Sequence, residues 1–206
     1  MSDKYNTVEK QASYGIGLQM GDQLRANPFD GLDVEAVQAG LADAFTEQQP
    51  QVDNQVLGVA FNEIHQRMQA AKAGESEEAI AAGEAFLQEN LQREGVSVTE
   101  SGLQYEILTS GDGEIPTAAS TVRTHYHGTL VDGKVFDSSY ERGEPAEFPV
   151  NGVIKGWTEA LQMMPVGSKW RLTVPHDLAY GEQGAGGAIG PFSTLVFDVE
   201  LLDIIA

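Results

Sequence analysis

The hydrophobic period of this chain changes part-way along. Up to about residue 95 the apolar positions recur every three to four residues, the spacing of one helix face. Val8, Ala12, Ile16, Met20 and Leu24 predict a helix over residues 8–25, with Asn6 and Glu9 spaced to cap its start. Val37, Leu41, Ala44 and Phe45 predict a second over 33–45. After Pro50 a third begins, capped by Asp53, with Val56, Leu57, Ala60, Phe61, Ile64 and Met68, then Ile80, Phe86, Leu87 and Leu91 on its stripe. It runs over residues 54–93 unless it breaks near Gly74, since Gly74 and Gly83 each cost about 1 kcal/mol against Ala inside a helix. Such a set of helices closes little core by itself. The exposed stripes predict a homodimer through the N-terminal helices, and Gly15, Gly17 and Gly21 are spaced for close backbone approach.

Beyond Gly95 the period is two. Residues 103–108, 121–131, 169–174 and 194–205 read as strands rich in branched and aromatic side chains, and Asp132-Gly133 supplies a hairpin turn. One short helix is expected over 156–163, closed by Pro165 and Gly167. The fold class is therefore α+β. An all-helical N-terminal dimerisation domain, residues 1–95, includes a long linking helix. An antiparallel β-sheet wrapped around a short helix follows over residues 96–206.

Charge narrows the function. Against 12 Lys and Arg stand 31 Asp and Glu, a formal net charge of −19. That field repels nucleic acid and anionic lipid, and no apolar run reaches membrane-spanning length. With no cysteine, thiolate chemistry and Cys-ligated metals are excluded. The first residues, MSDKYNTVEK, lack a basic-then-apolar leader pattern, so a cytoplasmic protein is expected.

The glycine-rich stretch YGEQGAGGAIGP, residues 180–191, invites a phosphate-cradle reading and fails it. Ile189 stands where a dinucleotide fingerprint needs its third glycine, Pro191 stops any helix, and no Gly-Lys-Ser/Thr follows. His125 and His127 share one strand face and could hold a metal with His176 or a carboxylate, but nothing else supports a metal site. No Ser/His/Asp constellation stands out. What remains is apolar density: Tyr126, Phe136, Phe148, Val153, Ile154, Trp157, Tyr180 and Phe197, with Asp137 and Arg142 among them. An aromatic pocket with a few polar handles suits an apolar ligand.

The segments HYHGTLVDGKVFDSS (125–139), FPVNGVIKGWTEALQMMPVGSK (148–169), VPHDLAYG (174–181) and GPFSTLVFDVELL (190–202) resemble the FKBP-type peptidyl-prolyl isomerases, in order across most of residues 101–206. The helical half resembles the dimerisation region of the macrophage infectivity potentiator type. The resemblance implies an isomerase of X-Pro bonds in folding polypeptides, with no cofactor and no metal. It implies a proline pocket floored by Trp157 and walled by Tyr126, Phe136 and Phe197, with Phe148 and Val153 in the same set and Ile189 leaning over the substrate. The Ile154 N–H and the Tyr180 hydroxyl are its bonds to ligand carbonyls, and Asp137 pairs with Arg142. It also implies a dimer with two pockets facing one cleft, chaperone-like holding of clients, and FK506-type macrolides as ligands. Ala146, Ala185 and Ala188 replace larger residues of the family around the rim. That change leaves a second reading, a proline-peptide-binding module with little turnover.

Overall fold

The computed structural model describes residues 3–26 and 28–205, which divide into two compact units, Met1–Ala71 and Lys72–Ala206. The first unit holds α1 (Val8–Ala26), α2 (Val34–Phe45) and the beginning of α3 (Asn54–Asn90). Asp33 caps α2, its carboxylate accepting from the N–H groups of Glu35 and Ala36 at 2.8 and 3.1 Å. At the start of α1 the residue that caps is Thr7 and not Asn6: its hydroxyl accepts from Lys10 N–H at 3.3 Å. Neither α1 nor α2 buries a single residue. Their apolar side chains instead line a groove of about 880 Å³, with Leu18, Met20 and Leu24 on one wall and Val34, Val37 and Leu41 on the other. Gly17 and Gly21 line it too, with no atom within 4 Å of where a Cβ would stand. The close approach expected of these glycines is not made within one chain.

Helix α3 is continuous through Gly74 and Gly83. From Lys72 onward it belongs with the sheet unit, so the compact boundary falls inside the helix rather than at residue 95. The cause is packing. At Gly83 an added Cβ would stand 2.4 Å from the Thr194 hydroxyl. Asn90, 6% exposed, donates to the Gln104 side chain at 2.8 Å and to the Thr173 hydroxyl at 3.3 Å, and accepts from Arg93 at 2.9 Å.

Seven antiparallel strands follow: β1 (Val96–Val98), β2 (Gln104–Thr109), β3 (Thr121–Leu130), β4 (Val135–Ser138), β5 (Ala146–Pro149), β6 (Lys169–Val174) and β7 (Leu195–Ile204). Their order is β1-β2-β6-β7-β3-β4, with β5 also pairing β3. The hairpin between β3 and β4 turns at Asp132-Gly133, where Gly133 has φ +86°. Alternation decides the faces. Leu195, Phe197, Val199 and Leu201 of β7, with Trp170, Leu172 and Val174 of β6, face α5 (Lys155–Leu161) and are buried with its Trp157, Ala160 and Leu161. The intervening residues Arg171, Thr173 and Asp198 face the other side, where α3 lies and Arg171 grips Asp198 at 2.6 and 2.8 Å. A one-turn helix, α4 (Ser139–Arg142), leads from β4 toward β5.

Candidate active site

Trp157 stands on the face of α5 turned to the sheet, 4% exposed, and three rings meet it edge-on. Their centroids lie 5.3 Å (Tyr126), 5.2 Å (Phe197) and 5.4 Å (Phe148) away, with interplanar angles of 84°, 82° and 66°. Edge-to-face packing of this kind sets the positive edge of one ring on the negative face of the next. Phe136 extends the set, 5.5 Å from Phe197 at 84°. It can come that close because Gly128 lies beneath both rings, with no room for a Cβ.

The rings enclose a cavity of about 370 Å³. Gly152, Val153 and Ile154 form one side of its mouth, and Tyr180, 41% exposed, stands at another. The Tyr180 hydroxyl and the Ile154 N–H find no hydrogen-bond partner among the described residues, so both are free for a ligand. The indole N–H of Trp157 is buried and likewise without a partner. At the rim, the Tyr126 hydroxyl donates to Asp137 Oδ2 at 2.5 Å, and Arg142 donates to Asp137 Oδ1 and, at 2.9 Å, to the Tyr126 oxygen. Burial alone would raise the Asp137 carboxyl. The hydroxyl of Tyr126 and the guanidinium of Arg142 outweigh that and hold it below the ordinary carboxylate range. Burial and the neighbouring carboxylate push the Tyr126 phenol up. At neutral pH the cluster is therefore a carboxylate, a neutral phenol and a guanidinium.

The structure thus gathers Tyr126, Phe136, Asp137, Phe148, Val153, Ile154, Trp157, Tyr180 and Phe197 around one cavity, with Arg142 bound to two of them. Ile189 does not join them. It is 8% exposed and packs in the core, bridged to Ala185 by backbone bonds of 2.9 and 3.0 Å. The left-handed glycines Gly186 and Gly187 turn the chain back on itself there, which carries Ile189 inward rather than over the mouth. The three histidines weighed as metal ligands are dispersed. His125 bonds Ser139 at 2.9 Å, His176 packs on Phe192, and His127 lines a cavity beneath α3. Ser139 is the residue that sequence reasoning missed; nothing in a Ser-Ser pair announces that one hydroxyl is fully buried against Tyr126.

Residues 113–202 match the family described as FKBP-type peptidyl-prolyl cis-trans isomerase, and residues 9–107 match the domain amino terminal to it. The FKBP-type 22 kDa peptidyl-prolyl cis-trans isomerase of Escherichia coli is 56% identical over 201 residues, 98% of each chain. The chain belongs to the FKBP-type peptidyl-prolyl cis-trans isomerases. The Outer membrane protein MIP of Legionella longbeachae is 39% identical over 96% of this isomerase and 86% of its own length. Among solved structures, FkpA from Escherichia coli superposes with a TM-score of 0.71 at 34% identity, covering 97% of this chain and 98% of that one. The aromatic cavity of this FKBP-type isomerase lies within the matched isomerase segment, and α2, α3 and all but the first residue of α1 lie within the amino-terminal one.

Proposed function

We propose that this isomerase turns over X-Pro bonds in the cavity around Trp157, and that it does so as a homodimer acting on partly folded chains. The observation that carries the first part is the set of edge-to-face aromatics centred on Trp157, with the charges compensated at the rim.

Rotation about the prolyl amide is opposed by about 18–20 kcal/mol of lost C–N conjugation. No bond to a nucleophile is needed. The planar amide carries more negative charge on its oxygen than the twisted one, so water favours the ground state. A cavity walled by Phe136, Phe148, Trp157 and Phe197 strips that water away and fits the prolyl ring, which lowers the twisted state relative to the planar one. The Ile154 N–H and the Tyr180 hydroxyl hold flanking carbonyls while the bond turns. Asp137 stays charged, bound to Tyr126 and Arg142, and acts through its field and by fixing that wall; it transfers no proton. A refolding assay on a proline-limited client tests this: wild type accelerates the slow phase, and Trp157→Leu and Phe197→Leu lose most of the acceleration. Failure of the wild type to accelerate it sinks the assignment of the cavity.

Support for the dimer is the open apolar groove between α1 and α2, whose residues a second copy would cover. Two pockets on one particle hold a client by avidity, which supplies chaperone-like binding without a tighter pocket. Sedimentation of the full chain against a chain starting at Lys72 separates dimer from monomer, and a monomeric full chain refutes the proposal. FK506-type macrolides belong to the same proposal as occupants of the same cavity; competition with an X-Pro peptide tests it. So does a cytoplasmic location, against which the name of the Legionella relative stands, and cell fractionation decides between them.

A further inference from the structure

The edge of β3 that carries Tyr126 has a gap in its ladder. β5 pairs that edge from Thr121 to Thr124, and β4 pairs it from His127 to Thr129. At His125 and Tyr126 neither strand is present, while β7 pairs the opposite edge throughout. Tyr126 therefore has a backbone N–H and a C=O turned toward a missing strand, buried groups that cost free energy if left alone. One side-chain atom meets both. The Tyr126 N–H donates to Ser139 Oγ at 2.8 Å, and the Ser139 hydroxyl donates back to the Tyr126 C=O at 3.2 Å. A hydroxyl is donor and acceptor at once, so it can stand in for the paired N–H and C=O of an absent strand residue. Ser139 is fully buried, and His125 Nδ1 closes the same oxygen at 2.9 Å.

The placement matters because of what Ser139 is joined to. Asp137 lies two residues before it and Arg142 three residues after it, at the end of α4. A single helical turn does not hold its own shape. Ser138 caps the turn through Glu141 N–H, the Tyr140 ring stacks on His125, and the Ser139 hydroxyl is what bonds the start of α4 to the backbone of β3. From it hang the carboxylate and the guanidinium that meet the Tyr126 hydroxyl at the pocket rim.

We infer that Ser139 is a positioning residue of the isomerase: its hydroxyl replaces the missing rung of β3 and so holds Tyr126, Asp137 and Arg142 in register with one another. This rests on the cavity being the site of turnover. It acts through these three groups, touches no substrate, and is set apart from general stability by a double-mutant cycle with Arg142.

The test measures kcat/KM on a short X-Pro peptide for the full chain carrying Ser139→Ala, Ser139→Cys, Arg142→Ala and the Ser139→Ala/Arg142→Ala pair. Ser139→Ala is expected to lower kcat/KM about tenfold, the worth of one buried hydrogen bond. Ser139→Cys puts a slightly larger, weakly donating thiol in place of the hydroxyl, so it falls with the alanine variant. With Arg142 already removed, adding Ser139→Ala costs clearly less than its loss of about tenfold alone, because one of the groups it positions is gone. Exchange of the Tyr126 amide proton quickens in Ser139→Ala and Ser139→Cys alike. Equal losses in both backgrounds, full turnover in Ser139→Cys, or an unchanged Tyr126 amide each overturn the inference. Trp157→Leu serves as the separate check on the cavity: if it turns over normally, the site assignment fails, whatever Ser139 does.

Discussion

Gly128→Ala tests the seating of the pocket walls most directly. Gly128 lies on β3 opposite Phe197 of β7 and Asp137 of β4. A Cβ added there would stand 2.7 Å from Phe136 Cζ and 3.0 Å from Phe197 Cε1. Carbon atoms rest comfortably at about 3.5 Å, so the Phe136 ring has to give about 0.8 Å. Both rings are held edge-to-face, and behind Phe197 stands Trp157, so the movement goes into the cavity. Overpacking of this kind costs about 1–3 kcal/mol. Alanine in a strand regains about 0.5–1 kcal/mol over glycine, which leaves a net loss between zero and about 2.5 kcal/mol. Shifts near 1 Å in a site cost up to about 100-fold in rate, and a 10- to 100-fold fall in kcat/KM is expected. Urea unfolding reads the first quantity and peptide turnover the second. A variant at least as stable as wild type, with unchanged turnover, would refute the seating of these rings over Gly128.

Asp137 sets the acid limb of activity. Its carboxyl lies below its unfolded value when folded, so its contribution is whole above about pH 4 and is lost as pH falls through the depressed folded value. Turnover should stay level from neutral pH down to that range in wild type, and Asp137→Asn should be lower throughout and lack this limb; a wild-type titration near pH 6 would contradict the charge state assigned. In α3, Gly74→Ala meets no atom within 4 Å and should gain about 0.5–1 kcal/mol. Gly83→Ala meets the Thr194 hydroxyl at 2.4 Å and should lose about 1–3 kcal/mol instead, so urea curves that move the same way for both disprove the docking of α3. Asn90→Ala leaves buried polar groups on Gln104 and Thr173 and should cost about 1–3 kcal/mol in urea with kcat/KM unchanged.

The long elements were legible because one local rule decides each. Residues 169–174 alternate strictly and form β6, residues 33–45 carry cap and stripe and form α2, and Asp132-Gly133 is a hairpin turn on its own chemistry. The short elements were not. β1, β5 and α4 span three or four residues each, too few for a period to show. Within the site, the aromatic walls could be named from type and family pattern, yet the fate of Ile189 depends on two left-handed glycines and on packing from other strands. Ser139 depends on a gap between β4 and β5, which only pairing register reveals. The position of the compact boundary within α3 likewise rests on Gly83 and Asn90 touching residues far along the chain.

The sheet order has a consequence for synthesis. β7, residues 195–204, is the strand inserted between β6 and β3. On a growing chain β6 and β3 therefore wait, with unpaired edges, for a partner that the ribosome delivers after both. Phe197 and its contact with Trp157 arrive with that same strand. A nascent copy lacks a pocket wall however well its helices have formed, so catalysis switches on only once the sheet is closed. An accelerator of slow folding steps thus depends, for its own site, on the long-range pairing that is slowest to form.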